Sequence, residues 1–389
     1  MRHLPINLAL ASTMHFLVDG ICACCLFMMA DILLDAPAGL AILTYNIVAF
    51  MTQPLTGWLA DSQRPRCDSL LTAAVAFLTI AVLLAVATVA TAVEMPPEWL
   101  PAVCFTTVAV VIGIGNSLFH VWGGKQTAVE THNDIRSLGV FVATGGMGLV
   151  VGVLFHTWWL LGTLLTLLCI TAIAQLHRNA ATAATTSRTS SPSLSPLHSP
   201  DPLPSSPSPA SHASSGSSAS PASTTSFSPL LPLSTPPYHG GSISPATQLT
   251  PAPPWRMSPA MLTLAIAAIM AVVLLRAYYG ETFTHGFQKD TALSLAIASV
   301  ATLGKAGGGW LARRLGLAAM AILLATGIAA CAVMRESHTA AMLAGIFLIN
   351  TTMPVTLWMA NRLLPGREGL AFGLLAAVLV PGYLLAVTL

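Results

Sequence analysis

The tetrapeptide GWLA occurs twice in this chain, in "GWLADSQRPR" at residues 57–66 and in "GWLARRLG" at residues 309–316. Each copy ends an apolar stretch and is followed by arginines. The two copies lie 252 residues apart. A recurrence of this kind predicts that one structural unit is built twice along the chain.

The composition is that of a membrane protein. Hydrophobic residues make up 54% of the chain and charged residues 8%, whereas soluble domains carry about 25% charged residues. The formal net charge of +2 gives no reason to expect a nucleic-acid partner. Seven cysteines, an odd number that falls mostly within apolar runs, do not indicate a secreted disulfide framework.

Eleven apolar stretches, each about 20 residues long, predict transmembrane helices. They lie near residues 7–30, 38–60, 69–93, 99–121, 137–156, 158–176, 258–280, 290–312, 316–334, 339–361 and 368–389. The Ser- and Pro-rich residues 179–256 between the sixth and seventh stretches predict a disordered linker. The expected domains are therefore an N-terminal six-helix bundle (1–178), this linker, and a C-terminal bundle of about five helices (257–389).

The basic residues predict the orientation. If both GWLA copies face the cytoplasm, twelve Lys and Arg residues lie inside, whereas only Lys289 and Arg335 lie outside. Inside loops of membrane proteins carry the excess of basic residues. We therefore expect a multi-pass protein of the cell membrane, with its N-terminus and linker in the cytoplasm.

The segment after the second span resembles the loop motif of the major facilitator superfamily of secondary transporters. The matching residues are Gly57, Leu59, Ala60, Asp61, Arg66 and Leu70. The resemblance covers both halves and implies an all-α fold of two pseudo-symmetric bundles. It also implies a conformational gate at Gly57, Asp61 and Arg66, in which Asp61 meets the amino terminus of the eleventh helix. The family has twelve helices, so either the twelfth is absent or one of the eleven spans contains two.

A second resemblance concerns "GIGNSLFHVWGGK" at residues 113–125. This stretch is similar to the fourth helix of the fosmidomycin-resistance type of exporter. The similarity implies efflux of a small anionic compound.

Polar residues inside predicted spans mark the expected pathway, because they are costly in a bilayer and tend to be functional. In the resembled fold the first, fourth, seventh and tenth helices line the central cavity, and polar residues occur in all four here. The candidate substrate-binding or coupling residues are His15, Asp19, Asn46, Gln53, Asn116, His120, Arg276, Tyr279, Lys305, Asn350 and Trp358.

Asp19 is the leading candidate for a proton-coupling group, since a carboxylate in the cavity could load and release a proton. The alternative is that Asp19 is a permanently ionised partner of Arg276. Arg276 could instead hold a carboxylate or phosphonate through two hydrogen bonds. His120 could relay protons, bind substrate or be structural.

These features predict a monomeric, proton-coupled secondary transporter that moves a small polar or anionic organic solute by alternating access, with drug efflux as one form. We expect no enzymatic activity, cofactor, metal site or nucleic-acid partner; the expected partners are the substrate, the proton and the lipid bilayer. Two alternatives stay open. One is a transporter-like sensor that binds solute without flux, and the other is a membrane-embedded acyltransferase that uses His120 and Asp19.

Overall fold

The computed structural model describes residues 6–33, 36–63, 67–91, 99–189, 257–285, 290–334 and 338–388. These residues form fourteen α-helices and no strands. The first seven are α1 (Ile6–Leu33), α2 (Ala36–Met51), α3 (Gln53–Ser62), α4 (Asp68–Thr91), α5 (Trp99–Glu130), α6 (Ile135–Leu154) and α7 (Trp158–Thr189). The others are α8 (Pro259–Thr282), α9 (Thr291–Leu315), α10 (Leu317–Met334), α11 (Thr339–Asn350), α12 (Thr352–Leu363), α13 (Glu368–Ala377) and α14 (Leu379–Thr388).

Ten helical segments in the described part of the chain are long and apolar enough to cross a membrane. They coincide with ten of the eleven predicted spans and confirm an all-α polytopic fold. The remaining predicted span forms α9, which is 25 residues long. Its apolar run is interrupted by Lys305 and by glycines, so it is less hydrophobic than the others.

Two compact units divide the chain. Within the described residues, one unit holds both helical halves, up to residue 177 and from residue 257 on, and the other contains the end of α7 from residue 178. Most of the predicted linker, residues 190–256, lies outside the described residues, as does Arg66. The division into two bundles and a disordered linker therefore stays a prediction.

Prolines explain why three predicted spans are each divided into two helices. Pro54, Pro354 and Pro381 lie two or three residues after a break, at Thr52, Thr351 and Val378 respectively. A proline has no N–H to donate to the carbonyl four residues earlier, and its ring crowds that carbonyl, so the helix kinks or breaks. In transporters, interrupted helices of this kind often mark the binding site.

Glycines allow the helices around α9 to pack with their backbones in contact. A Cβ added at Gly308 would lie 2.8 Å from the Cα atom of Thr351, and one at Gly309 would lie 2.6 Å from the carbonyl oxygen of Ile135. Gly307 has no atom within 4 Å of such a Cβ. The same three-residue run therefore contains two positions that require glycine and one that does not.

We expect Gly308→Ala to destabilise the protein by about 1–3 kcal/mol, because the added methyl group would push α9 away from the break between α11 and α12. Gly307→Ala is the matched control. It should be neutral or stabilising by up to about 1 kcal/mol, since alanine is the better helix former. Thermal unfolding of the purified proteins in detergent measures both effects. Equal midpoints for the two variants would contradict this packing.

Candidate functional site

Two polar regions lie inside the helical bundle. The first, which we call the histidine cluster, consists of His15 and Asp19 on α1 and of Asn116 and His120 on α5. The second, the Arg276 cavity, lies between the two halves and has a volume of about 330 Å³. The residues of each region come from separate predicted spans, and the fold brings them together.

The histidine cluster is held by a closed set of polar contacts. The two imidazoles approach through their Nε2 atoms, which are 2.9 Å apart. The Asp19 carboxylate lies 3.5 Å from Nε2 of His15 and 3.4 Å from Nε2 of His120. The amide of Asn116 donates to Asp19 at 3.2 Å. Both imidazoles are buried, so these contacts are shielded from water.

The other ring nitrogen of each histidine faces a backbone carbonyl. Nδ1 of His15 lies 2.8 Å from the carbonyl oxygen of Phe141 on α6. Nδ1 of His120 lies 3.0 Å from the carbonyl oxygen of Asn116, one turn earlier on α5. The ring of His15 also stacks on that of Phe141, with centroids 4.6 Å apart. Each imidazole is therefore fixed in orientation from both sides.

The Arg276 cavity lies beside the bends of the proline-broken helices. Its lining residues are Leu43, Asn46, Phe50, Arg276, Ala277, Gly280, Glu281, Lys305, Asn350, Met353, Leu379, Val380 and Tyr383. Phe50 and Asn350 each lie four residues before a proline, so the kinks of the second and tenth spans face this space. Four predicted site residues, Asn46, Arg276, Lys305 and Asn350, line it.

The charges in the cavity are unbalanced, because its lining includes two cations, Arg276 and Lys305, and one carboxylate, Glu281. Arg276 is only 8% exposed, and its Nη1 atom has no hydrogen-bond partner among the described residues. Within the same part of the chain, neither Arg276 nor Lys305 forms an ion pair. Buried cations are costly unless they are paired. The arrangement therefore suits a bound anion.

Lys305 connects the two regions. It lines the cavity, and its Nζ atom lies 3.2 Å from the position of a Cβ built on Gly146 of α6. It is also close enough to interact electrostatically with His15, Asp19 and His120. A change of charge in one region therefore changes the electrostatic potential in the other.

Asp19 does not pair with Arg276 in this structure. Its partners are the two histidines and Asn116, all on α1 and α5. The alternative in which Asp19 permanently neutralises Arg276 is thus not the arrangement observed. Asp19 instead provides the negative charge of the histidine cluster.

Three other predicted site residues lie away from the cavity lining. Gln53 is fully buried at the start of α3 and donates to the carbonyl of Ala49. Tyr279 packs against Phe283 in a separate apolar cluster. The ring of Trp358 is covered by the guanidinium of Arg362, 4.3 Å from its centroid.

The donor set of the histidine cluster could hold a metal ion. His15, Asp19 and His120 each offer one ligand atom, and these atoms lie within 4.8 Å of one another. However, the ammonium of Lys305 acts on all three residues. A divalent cation would face this positive charge with only one carboxylate to offset it, so the electrostatics favour a singly charged guest.

Asp61 joins the two halves at the end of the bundle that we call the Asp61 side. Its carboxylate accepts hydrogen bonds from the backbone N–H groups of Gly369, at 3.0 Å, and Leu370, at 2.8 Å. These groups belong to the first turn of α13, where a helix dipole stabilises negative charge. Lys125 lies 3.6 Å from the same carboxylate. No role was predicted for Lys125, although a lysine that follows an apolar run within a helix was a usable signal.

Glycines bring α3 and α13 into backbone contact beside Asp61. A Cβ on Gly57 would collide with the carbonyl group of Gly369, and one on Gly369 would lie 2.8 Å from the carbonyl oxygen of Gly57. The first GWLA copy therefore provides both the close approach and the carboxylate of this contact.

A second contact closes the same side. Asn133, with a positive φ of 56°, donates to the carbonyl of Trp358 at 3.2 Å. Asn361 donates to the side-chain oxygen of Asn133 at 2.9 Å. Arg313, in the second GWLA segment, lies 3.5 Å from the carboxylate of Asp134. Of these residues only Trp358 was a predicted site residue, and Arg313 was recognised only as part of the second GWLA segment; Asn133, Asp134 and Asn361 lie in no recognisable pattern.

Comparisons with known proteins show which fold the chain shares. No family model matches the sequence. The chain is similar to a protein described as "Probable nitrate/nitrite transporter NarK2" in two strains of Mycobacterium tuberculosis, with 31% identity over 111 residues. This match covers 28% of the chain and 26% of the relative, so the chain spans about a quarter of the length of the curated relatives it matches.

Three solved structures share the fold over nearly the whole chain. A bacterial homologue of the iron transporter ferroportin, in an outward-facing state, has a TM-score of 0.55 at 13% identity, covering 99% of this chain and 91% of its own. The E. coli fucose:proton symporter FucP has a TM-score of 0.55 at 11% identity, covering 98% and 90%. The proton:xylose symporter XylE has a TM-score of 0.52 at 13% identity, covering 98% and 87%.

XylE is described as a member of the major facilitator superfamily. The chain therefore has the major facilitator fold, and the resemblance predicted from residues 57–70 is confirmed at that level.

Proposed function

We propose that this protein is a secondary active transporter that moves a small anion across the membrane by alternating access. The observation that carries the proposal is the pair of cations that line the Arg276 cavity, of which Arg276 is buried. Arg276 has an unsatisfied Nη1 donor, and neither Arg276 nor Lys305 has an ion-pair partner among the described residues. An anion in the cavity would supply the missing charge and accept the free hydrogen bond.

The contacts between the halves support alternating access. The Asp61 side is closed by Asp61 on the amino terminus of α13 and by the bonds of Asn133 to α12. These contacts lie between the halves, so they can break while each half stays folded. The predicted orientation makes this the cytoplasmic side and the structure an outward-facing state.

The size and chemistry of the cavity favour a small organic or inorganic anion. A volume of about 330 Å³ lies at the lower end of the range for small-molecule pockets. The relative is named for nitrate and nitrite, which are small anions. Carboxylates and phosphonates would satisfy the same two cations.

The histidine cluster supports proton coupling. A proton on the cluster and an anion beside Arg276 carry opposite charges, so loading both leaves the net charge of the site unchanged. A bound anion would also offset the charge of Lys305 near the cluster, which favours protonation there. This linkage favours movement of proton and anion together. Drug efflux in exchange for protons would instead require that anion binding displaces the proton.

Flux in proteoliposomes tests the proposal. We expect uptake of a radiolabelled small anion, with nitrate and a short-chain carboxylate as first probes, to be driven by an inward proton gradient. Accumulation driven by an outward gradient would indicate efflux by exchange. Saturable binding without flux would indicate the sensor, and appearance of an acylated product would indicate the enzyme.

We propose that the central Ser- and Pro-rich segment serves only as a linker between the halves. Deleting residues 191–250 should then leave membrane insertion and anion flux within about twofold of wild type, since a tether has only to span its two attachment points. Expression level and initial flux of the deletion variant measure this. A large loss of either would contradict a purely connecting role.

A further inference from the structure

The hydrogen bonds of the histidine cluster define where its protons must be. Nδ1 of His15 and Nδ1 of His120 each face a backbone carbonyl oxygen, at 2.8 and 3.0 Å respectively. A carbonyl oxygen can only accept a hydrogen bond, so each Nδ1 must carry a hydrogen. In a neutral imidazole the second nitrogen, Nε2, then carries a lone pair.

Both lone pairs point to the same place. The two Nε2 atoms are 2.9 Å apart, which is the length of a hydrogen bond and too short for two acceptors without a hydrogen between them. The Asp19 carboxylate lies beside this contact, 3.4 to 3.5 Å from each Nε2 atom, and adds further negative charge. The geometry is therefore satisfied only when one positive charge sits between the two imidazoles.

We propose that the transported proton is carried by the His15–His120 pair, shared between the two Nε2 atoms, with Asp19 as its fixed counter-charge. This inference rests on the proposed proton-coupled function and deepens it. It moves the proton-carrying role from the carboxylate to the imidazoles. Asp19 then acts as a positioning residue that keeps the pair protonated.

The surrounding helices leave few competing groups. Among the residues that the structure describes, the other ionisable side chains that interact with the cluster are Cys22 on α1, Tyr45 on α2 and Lys305 on α9. Both α6 and α13 contribute phenylalanine rings there, Phe141 and Phe372, rather than ionisable groups. Of the three, only Lys305 is positively charged and so opposes protonation. A bound anion beside Lys305 would remove that opposition, which links the proton to the substrate.

Nitrogen NMR of ¹⁵N-histidine-labelled protein tests the inference without any substrate. We expect both Nε2 resonances of the pair to lie between the values for protonated and bare nitrogen, and to change together as one proton is taken up for two rings. Two independently titrating histidines would overturn the proposal. So would two rings that never gain the proton while the Asp19 carboxyl group does.

Variants give a second, independent readout. In His120→Gln and in His15→Gln we expect gradient-driven flux to fall at least tenfold, while exchange of labelled nitrate without a gradient is kept. The matched control is His156→Gln. His156 also contacts a carbonyl, that of Val153, and an aspartate, Asp31, but no second histidine among the described residues. Unchanged coupling in both cluster variants would overturn the proposal.

The outcomes separate this inference from the proposed function. If wild-type protein moves no nitrate or carboxylate, the anion proposal fails, and the NMR result still decides the shared proton. Stoichiometric binding of Zn²⁺ that is lost in His120→Gln would overturn the proposal by making the cluster a metal site.

Discussion

Replacing Arg276 with glutamine is expected to weaken anion binding by about two to three orders of magnitude, because truncating one partner of a buried charge pair costs about 2–5 kcal/mol. The same change should stabilise the empty protein. The guanidinium is buried without an ion-pair partner among the described residues, and its removal relieves that cost. If Arg276 binds substrate at the expense of stability, its replacement should weaken binding and raise stability.

Binding of the anion by calorimetry and thermal unfolding without anion measure the two effects. The matched control is Arg362→Gln, since Arg362 lies over the ring of Trp358 and away from the cavity. That change should alter the affinity for the anion by no more than about twofold, because Arg362 does not line the cavity. If Arg276→Gln lowered stability and left binding unchanged, the guanidinium would be structural and the anion site would lie elsewhere.

Replacing Gly57 with valine is expected to abolish flux by preventing closure of the Asp61 side. The side chain would occupy the space of the Gly369 carbonyl group, where α3 and α13 are in backbone contact. Overpacking of this kind costs about 1–3 kcal/mol. This is enough to reverse the preference between two conformations whose free energies differ by a similar amount. Because the overlap is with backbone atoms, we expect the two halves to separate there and each half to stay folded.

Cross-linking of a cysteine pair measures the closure directly. Asn133→Cys with Asn361→Cys places the pair at the second contact of the same side, where the native side chains bond at 2.9 Å. We expect Gly57→Val to reduce cross-linking of this pair severalfold. Gly39→Val is the control, because a Cβ at Gly39 meets no atom within 4 Å. Efficient cross-linking in Gly57→Val would show that the side still closes.

The native cysteines interfere little with this measurement. Cys67, the residue before α4, is 1% exposed, and burial raises the pKa of its thiol to about 11. It therefore stays protonated and slow to react near neutral pH. The partly exposed Cys104, Cys169 and Cys331 can be replaced with alanine.

The sequence was sufficient for the helices and the fold because a bilayer leaves few choices. Every backbone N–H and C=O group in the hydrocarbon region must be bonded within its own segment, so a long apolar run becomes a helix. The eleven predicted spans therefore correspond to the observed helices. The kinks were also readable in principle, since Pro54, Pro354 and Pro381 lie within otherwise apolar runs.

The sequence also identified most of the polar residues that form the two internal regions. Polar side chains inside apolar spans are rare enough to stand out one by one. His15 with Asp19, and Asn116 with His120, were each expected to share a helical face, since residues four apart do so. The type of each residue and the helix that carries it can thus be read from the local sequence.

Which of these residues meet was decided only by the tertiary structure. The sequence left Asp19 free to pair with Arg276. The packing of α1 against α5 instead brings Asp19 to His15 and His120, and Arg276 has no ion-pair partner among the described residues. Gln53 and Trp358 were chosen by the same polar criterion, yet they lie outside the cavity. Helical periodicity determines on which face of its own helix a residue lies. The rotation of each helix and the angle at which two helices cross depend instead on contacts between residues that are far apart in the sequence. The contact of Gly57 with Gly369 is one of these.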